Sequence, residues 1–177
     1  MIATFLILLS SLILLFCLIL YFLILLTFLV FDIKNQAFFV PSNKKLINQL
    51  FEKFPFQKDK IFIDLGSGDG RVVFAAAKKN LNAFGYENNP LLYFLAQLKK
   101  KFFKIDNAKF IRQSFLKADI SSADYIYVYL LPKVMLKIED FIFSKAKKGC
   151  QIISLDFQFP HKKYKEKILN RFYVYEV

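Results

Sequence analysis

A short glycine-rich run carries the residue types best suited to chemistry. It reads Asp64-Leu65-Gly66-Ser67-Gly68-Asp69-Gly70 and holds three of the five glycines of the chain. Glycine permits a sharp turn and lets a ligand approach main-chain N–H groups without a Cβ in the way. An apolar stretch precedes the run and an alanine-rich stretch follows it. The pattern therefore predicts a ligand-binding turn between a strand and a helix, at the carboxyl edge of a sheet.

The residues around these glycines limit the class of ligand. A nucleoside-triphosphate loop needs Lys and then Ser or Thr after its last glycine, whereas Arg71-Val72 stands here, and the dinucleotide fingerprint needs a different third spacing. Asp64 before the turn and Asp69 within it would repel a pyrophosphate but suit a cation. S-adenosylmethionine, a nucleoside with a positively charged amino-acid tail, has the required chemistry.

A second acid supports this interpretation. Glu87 ends the next predicted strand, where a carboxylate can bind both hydroxyls of a ribose, as the acid of dinucleotide folds does. Asn88 beside it is a further candidate for the cofactor site. The rival interpretation is a structural turn next to a surface glutamate. Strand, glycine turn, helix, strand and terminal acid in register favour the cofactor site.

The elements that must position these residues alternate along the chain. Helices are predicted at 43–54 (capped by Ser42), 71–80, 90–103 and 133–145. Strands are predicted at 60–65, 83–87, 109–113, 125–131 and 150–157, and two short β-like runs follow at 164–169 and 172–177. The connections between them are short. This order predicts the α/β class, a Rossmann-like and mostly parallel sheet with helices on both faces.

The amino-terminal part has a different composition. Residues 2–31 include no charged side chain, so all 26 basic and 14 acidic residues, and the net charge of +12, lie from Asp32 onward. Such a segment rises about 45 Å as a helix, against roughly 30 Å for the bilayer core. We therefore expect a transmembrane anchor in residues 1–33 and a catalytic domain in residues 34–177. Disordered, collagen-like, disulfide-scaffold and ordinary soluble proteins are excluded.

A cleaved signal peptide is the rival interpretation of this segment. It fits poorly, because the chain has no basic start, the apolar region is too long and no small-x-small site follows. Lys34, Lys44 and Lys45 follow the span, whereas only the terminal amine precedes it. The positive-inside rule then predicts a single-pass protein with its domain on the cytoplasmic side.

Four stretches resemble the seven-stranded S-adenosylmethionine-dependent methyltransferases. The resemblance is closer to the small single-domain protein-lysine methyltransferases, which include archaeal enzymes and mitochondrial enzymes acting on the adenine nucleotide translocase and the c subunit of ATP synthase. The stretches are Val40-Pro41-Ser42, Asp64 to Arg71 with Ala75-Ala76-Ala77 behind it, Tyr129-Leu130-Leu131-Pro132 and Ser154-Leu155-Asp156-Phe157. The mitochondrial members also carry a hydrophobic amino-terminal segment.

The resemblance implies a cofactor and an acceptor. It implies S-adenosylmethionine as the methyl donor and a protein lysine as the acceptor. Gln113 or Ser114 stands near the adenine, where the family usually has an acid, and Leu155 stands in the place of a family histidine. Pro41 with Phe39 is expected to form a lid over the cofactor.

For methyl transfer, the protein has mainly to position and deprotonate the acceptor, because the methyl donor is already activated. The acceptor must lie about 3 Å from the methyl carbon, aligned and deprotonated. A lysine starts near pKa 10.4, and an apolar or aromatic pocket lowers that value. We expect Tyr129 to line this pocket and Asp156 to orient the ammonium and help to remove the proton. The rival interpretations are an aromatic strand face, since Tyr125, Tyr127 and Tyr129 alternate, and a structural acid.

The sequence therefore predicts a membrane-anchored methyltransferase that acts on a protein lysine near the bilayer. A lipid or small-molecule acceptor is one alternative, and a catalytically silent binding module is another, because Ser114 and Leu155 depart from the family pattern. Lysine runs at 99–104, 145–148 and 162–167 suit a solvated surface or membrane adhesion. Nucleic acid is disfavoured, since no RNA-binding module accompanies the charge. No metal is expected, because His161 is the only histidine, in a surface loop context, and there is no CxxC pair.

Overall fold

The computed structural model describes residues 2–35 and 40–177, and the chain divides into units of residues 1–39 and 40–177. The first unit contains helix α1, Ile2–Asn35. Its segment Thr4–Thr27 is long and apolar enough to cross a membrane. The hydroxyls of Ser10, Ser11 and Thr27 donate to backbone carbonyls three residues earlier, each at 2.8 Å. These polar groups are therefore satisfied within the helix, as an apolar environment requires.

The second unit is built on one sheet of seven strands. The strands are β1 Ile61–Leu65, β2 Asn82–Glu87, β3 Ala108–Arg112, β4 Tyr125–Val128, β5 Gln151–Leu155, β6 Glu166–Ile168 and β7 Phe172–Glu176. Their order in the sheet is β3-β2-β1-β4-β5-β7-β6. The first five strands are mutually parallel, and β7 runs antiparallel to both β5 and β6. This confirms the predicted α/β class and both short carboxy-terminal strands.

Helices cover both faces of this sheet. They are α2 Lys44–Lys53, α3 Arg71–Lys78, α4 Pro90–Phe103 and α5 Pro132–Lys145. Alternate residues of a strand point to opposite faces. Phe62 therefore packs into the core beneath α2 and α3, while its neighbour Ile63 packs into the core beneath α5. The parallel strands all end at one edge, and the polar residues that follow them gather there.

Several sequence-based boundaries were wrong by one to three residues, and two of the corrections concern residues near the site. Asn43, and not Ser42, caps α2, because its side-chain oxygen accepts hydrogen bonds from the N–H groups of Lys45 and Leu46. Ser42 is instead buried. Strand β4 ends at Val128 rather than at residue 131, because its neighbour β1 leaves the sheet at the paired Leu65. Residues 129–131 thus form a loop at the carboxyl edge.

Candidate active site

The glycine run forms the predicted turn between β1 and α3. Gly66, Gly68 and Gly70 all have positive φ angles, of 89°, 55° and 83°. A residue with a Cβ is strained in this region, so the turn needs its glycines. The N–H groups of Gly66 and Ser67 both donate to the carbonyl of Tyr86, at 2.9 and 3.0 Å. The turn is thereby fastened to the end of β2.

Glu87 lies between the glycine turn and the start of α4. Its two carboxylate oxygens accept hydrogen bonds from the N–H of Gly68, at 2.8 Å, and from the N–H of Asn89, at 2.6 Å. Asn89 in turn caps α4 with its side-chain oxygen. These contacts hold the carboxylate in one orientation at the sheet edge. Asn88, between the two, is exposed.

Asp64 is a buried acid beneath the turn. Burial raises the pKa of its carboxyl group well above the usual value, and the nearby negative charges of Glu87 and Asp69 raise it further. Charges of one sign are thus crowded on this side of the turn. A positively charged ligand would relieve the repulsion and favour the ionised form of Asp64. The site accordingly fits a cationic ligand, in line with the sequence-based expectation.

Asp69 behaves differently from Asp64. Burial alone would raise its pKa, but hydrogen bonds from Arg71 and Lys99 outweigh burial and lower the pKa to about 2. Arg71 donates to both carboxylate oxygens, at 2.8 and 3.0 Å, and Lys99 lies 2.7 Å from Oδ2. Two cations therefore balance the charge of Asp69. Asp69 therefore contributes less to the attraction of a cationic ligand than its charge alone would suggest.

Arg71 also connects the turn to the segment that precedes α2. Its Nη1 donates to the carbonyl of Ser42 at 2.7 Å, and the Ser42 hydroxyl lies 3.5 Å from that of the buried Tyr127. Pro41, the neighbour of Ser42, is exposed. Pro41 is thus adjacent in the chain to a residue tied to the turn. Phe39, its predicted partner in a lid, lies outside the described residues.

One polar group in the turn lacks a partner within the described part of the chain. The hydroxyl of Ser67 is buried, and no hydrogen-bond partner lies within reach. Such a group is costly unless a ligand or water satisfies it. Gly85 of β2 makes room for it, because a Cβ at residue 85 would lie 2.7 Å from Ser67 Oγ. Sequence reasoning missed Gly85, although a glycine inside a strand is a signal of close approach.

The two candidates for the adenine side follow β3. The N–H of Gln113 donates to the carbonyl of Glu87 at 3.1 Å, which extends the ladder between β2 and β3 by one bond. Ser114 follows and begins a short 3₁₀ turn, Phe115–Lys117. Both residues are half-buried. The structure thus places Gln113 and Ser114 at the same edge as Glu87.

Tyr129 and Asp156 come together at the ends of β4 and β5. The ring of Tyr129 stacks on Phe157, with centroids 6.3 Å apart and planes 15° apart. Partial burial raises the pKa of Tyr129, and the adjacent Asp156 raises it further. Asp156 directly follows β5 and has a φ of 63°, in the left-handed region.

Arg171 completes this second cluster, and sequence reasoning missed it. Its guanidinium donates two hydrogen bonds to the Asp156 carboxylate, from Nε to Oδ1 at 2.6 Å and from Nη2 to Oδ2 at 2.5 Å. Arg171 comes from the turn between β6 and β7, which lies beside β5 only because β7 inserts between β5 and β6. No local pattern predicts that pairing. The carboxylate proposed to serve the acceptor is therefore already paired with a cation.

Buried Tyr127 lies between the two clusters. Burial raises the pKa of its hydroxyl well above the usual value, and Asp64, Tyr129 and Asp156 each add to the effect. The glycine turn and the Tyr129 cluster are thus parts of one continuous edge. His161, expected as a solvated surface residue, is exposed but contacts the buried Glu139 through its N–H, at 3.0 Å, and through Nδ1, at 3.3 Å. It lies outside this edge.

Known proteins are similar to this chain in sequence. A human lysine N-methyltransferase, named for the c subunit of ATP synthase, is 32% identical over 124 residues, which are 70% of this chain and 53% of the human protein. A protein-lysine N-methyltransferase of Saccharolobus islandicus (strain REY15A) is 30% identical over 124 residues, 68% of this chain and 76% of the archaeal protein. The chain spans about half the length of the animal relatives that it matches.

A solved structure and a family model give the same result. The structure described as an RNA methyltransferase from Salinibacter ruber in complex with S-adenosyl-L-homocysteine has a TM-score of 0.72 and 29% identity, and the match covers 77% of this chain and 93% of that one. The family model of the ANTKMT methyltransferase domain matches residues 64–166, which are more than half of the chain. The predicted resemblance is thereby confirmed, and the chain belongs to the ANTKMT methyltransferase domain family.

Proposed function

We propose that this protein transfers a methyl group from S-adenosylmethionine to a lysine of a protein at a membrane. The observation that carries the proposal is the contact between Glu87 and the N–H of Gly68, which joins the acid at the end of β2 to the glycine turn. The family and the names of the relatives support methyl transfer to lysine. The chain spans only about half the length of the animal relatives, so the lysine acceptor is proposed and does not follow from their names.

Residues of the glycine turn and of the neighbouring strand ends are proposed to bind different parts of the cofactor. Glu87 would bind the ribose hydroxyls, Asp64 would attract the positively charged tail, and the Ser67 hydroxyl would gain the partner that it lacks among the described residues. Gln113 and Ser114 would contact the adenine. The main chain of residues 66–70 would border the approach to the site, and so would Pro41. When bound, S-adenosylmethionine supplies a methyl group already activated on a sulfonium.

The second cluster prepares the acceptor. The stacked rings of Tyr129 and Phe157 form an aromatic wall, and an amine against such a wall loses water and with it part of its preference for the charged form. Asp156 orients the amine. Because Arg171 already pairs with Asp156, this carboxylate holds an ammonium less strongly than an unpaired one would. Proton loss, which must precede transfer, is therefore easier.

The membrane is the expected location of the acceptor. Helix α1 includes the apolar segment Thr4–Thr27, which by length and composition could span a bilayer. A domain tethered in this way meets membrane proteins at a raised effective concentration. Lys34, Lys44 and Lys45 after the span favour the cytoplasmic side. One relative is named for the c subunit of ATP synthase and another for the adenine nucleotide translocase, which gives the first acceptors to test.

RNA is the second candidate acceptor. The solved relative with 29% identity is described as an RNA methyltransferase, and this chain carries a net charge of +12. The names of the curated relatives favour lysine. Two further alternatives rank below lysine and RNA. They are a lipid or small-molecule acceptor and a binding module that does not catalyse transfer.

One labelling experiment separates the four possibilities. Full-length protein in membranes is given S-adenosylmethionine with a radioactive methyl group, and label is counted in protein, RNA and the organic extract. We expect label in protein and release of methylated lysine on acid hydrolysis. Label in RNA or in the lipid extract would replace the acceptor, and binding without label would leave a binding module. Glu87→Ala, which should lower the signal when S-adenosylmethionine is limiting, is the control that ties the label to this site.

A further inference from the structure

The exposed apolar side chains of the second unit are concentrated on one helix. Nine large hydrophobic residues are exposed in residues 40–177, and five of them belong to the 14-residue helix α4. They are Phe94, Leu95, Leu98, Phe102 and Phe103. Only Leu92 and Ala96 of α4 are buried against the sheet. Most of the large apolar side chains of this helix therefore face solvent.

Four of these residues share one side of the helix. Phe94, Leu95, Leu98 and Phe102 are 57%, 43%, 48% and 80% exposed, and their spacing of one, three and four residues places them on a continuous stripe. We call these four residues the α4 apolar face. Single exposed hydrophobic residues are ordinary on a protein surface, but a contiguous stripe indicates an interaction surface.

Positive charge lies at the end of this face. Lys100, Lys101 and Lys104 follow one another at the last turn and the cap of α4, and the helix includes no acidic residue. Lys101 and Lys104 are exposed. An apolar stripe beside lysines is the pattern of helices that lie in the interface of an anionic bilayer. An acidic protein partner would also attract the lysines, but the apolar segment of α1 favours a bilayer as the occupant.

We propose that the α4 apolar face docks into the headgroup layer of the anionic bilayer that α1 spans. The proposal rests on the membrane anchorage proposed above. The second unit begins at Val40, a short stretch of chain after Thr27, so anchorage confines it to the bilayer surface at a raised effective concentration. Each lysine near an anionic surface then adds to the attraction, and the inserted side chains lose their contact with water.

Docking through this face would also orient the active edge. Helix α4 begins at Pro90, directly after Asn89, whose N–H donates to Glu87. Further along, Lys99 contacts Asp69 in the glycine turn. The face that enters the membrane is thus built on the same helix that holds the proposed cofactor site. A lysine amine at the depth of the headgroups could then reach the site while the protein that carries it stays in the membrane.

The chain has no tryptophan, so a single introduced tryptophan reports its own surroundings. Full-length Phe94→Trp and Phe102→Trp are reconstituted into vesicles of phosphatidylcholine with phosphatidylglycerol. We expect emission at a shorter wavelength than from a tryptophan at an exposed control position, and quenching by lipids brominated near the headgroup. Leu136→Trp, at an exposed site of α5 on the opposite face of the sheet from α4, is the matched control and should remain unquenched. Equal, unquenched emission from residues 94, 102 and 136 would overturn the proposal.

A third tryptophan variant tests membrane insertion of α1 independently of docking by α4. Phe16→Trp lies inside the apolar segment of α1 and should be quenched by lipids brominated deep in the acyl chain. Quenching at residue 16 without quenching at 94 and 102 would reject docking and leave the anchor intact. No quenching at residue 16 would reject both. A blue shift at 94 and 102 that fades on dilution of the protein in lipid, without lipid quenching, would assign the face to a second copy and overturn docking.

The cofactor site provides the check on folding. S-adenosyl-L-homocysteine is titrated calorimetrically into each variant in vesicles. Unchanged binding in Phe94→Trp and Phe102→Trp shows that the domain is intact, so that the emission reports docking alone. The double variant Phe94→Ser with Phe102→Ser should keep this binding and lose protection of α4 amides from hydrogen exchange by anionic vesicles. Equal protection in wild type and double variant would contradict the proposal.

Discussion

Lys99 on α4 lies 2.7 Å from Asp69 in the glycine turn, so the helix and the turn are joined by an ion pair. The same lysine also donates to the backbone carbonyl of Asp69, at 3.3 Å. Arg71 donates to both carboxylate oxygens of Asp69. The conformation of the turn therefore depends on a residue 30 positions away, and any displacement of α4 would act on the turn directly.

Lys99→Met should weaken the domain at neutral pH more than in acid. Asp69 has a pKa of about 2 in the folded protein, below the usual value, so its stabilisation is present above the unfolded pKa of about 3.9 and is lost as the pH falls towards 2. We expect a loss of about 0.5–1 kcal/mol in the free energy of unfolding near neutral pH, discounted because Lys99 is partly exposed. Urea unfolding at several pH values measures it. Lys101→Met, on the same turn of helix but exposed, should change little, and a pH-independent loss would contradict the assignment.

Glu87→Ala should weaken binding of S-adenosylmethionine by about 1–3 kcal/mol through the lost charge-assisted hydrogen bonds. The substitution also deprives the N–H groups of Gly68 and Asn89 of their acceptor, so the turn should lose order. Calorimetric titration of the full-length protein gives the dissociation constant. Glu166→Ala, at an exposed position of β6, serves as the control for charge. An unchanged dissociation constant would remove Glu87 from the site.

Asp64→Asn should stabilise the cofactor-free domain and weaken the cofactor complex. The pKa of Asp64 is raised in the folded state, so ionising it costs stability, and that cost appears as the pH rises above the unfolded value. Removing the charge should add about 0.5–2 kcal/mol to the free energy of unfolding at neutral pH. Thermal unfolding and titration are the two measurements. Affinity for S-adenosylmethionine in the wild type should rise with pH as Asp64 ionises.

Asp124→Asn is the matched control for Asp64. Asp124 has a lowered pKa, because bonds from Lys147 and from the N–H of Ile61 outweigh its partial burial. Its neutralisation should therefore cost about 1 kcal/mol of stability and leave the affinity for S-adenosylmethionine unchanged. If both variants shifted stability in the same direction, the electrostatic description of the turn would be wrong.

Gly85→Ala should displace the glycine turn. The new Cβ would lie 2.7 Å from Ser67 Oγ, 2.8 Å from Ser67 Cβ and 2.9 Å from Val73 Cγ2. Overpacking of this kind costs about 1–3 kcal/mol, and here it should also weaken cofactor binding. The second substitution Ser67→Gly should recover part of the lost stability. Gly149→Ala also has an unfavourable φ, of 82°, but meets nothing within 4 Å, so it should lower stability without changing binding.

Asp156→Asn should lower turnover by about tenfold to a hundredfold through misplacement of the acceptor, with a smaller effect on cofactor affinity. Arg171→Ala tests the positioning role separately. It leaves Asp156 unpaired, which raises the pKa of the bound acceptor amine. The pH–rate profile should therefore shift to higher pH. Arg171→Lys should restore part of the wild-type profile, and turnover that is equal in all three variants and the wild type would exclude the cluster from the reaction.

Much of the fold was predictable because its signals are local. The alternation of apolar runs with helical patterns, punctuated by glycine and proline, predicted every strand and the order of elements. Pro90 and Pro132 mark the helix starts that the structure shows. The strand end that was predicted wrongly depends on the neighbouring strand in the sheet. Strand β4 ends where its partner β1 ends, and a strand cannot continue in a ladder without a partner.

The sequence by itself determined the class of protein, the glycine turn and the acid at the end of β2. These features are local, since a φ above zero selects glycine and a strand end places its next residue at the edge. Only the tertiary structure decided which charges remain available there. It paired Asp69 with Lys99 and Asp156 with Arg171, across separations that no spacing rule reports. Electrostatic energy depends on distance in space, and the chain order alone does not contain that distance.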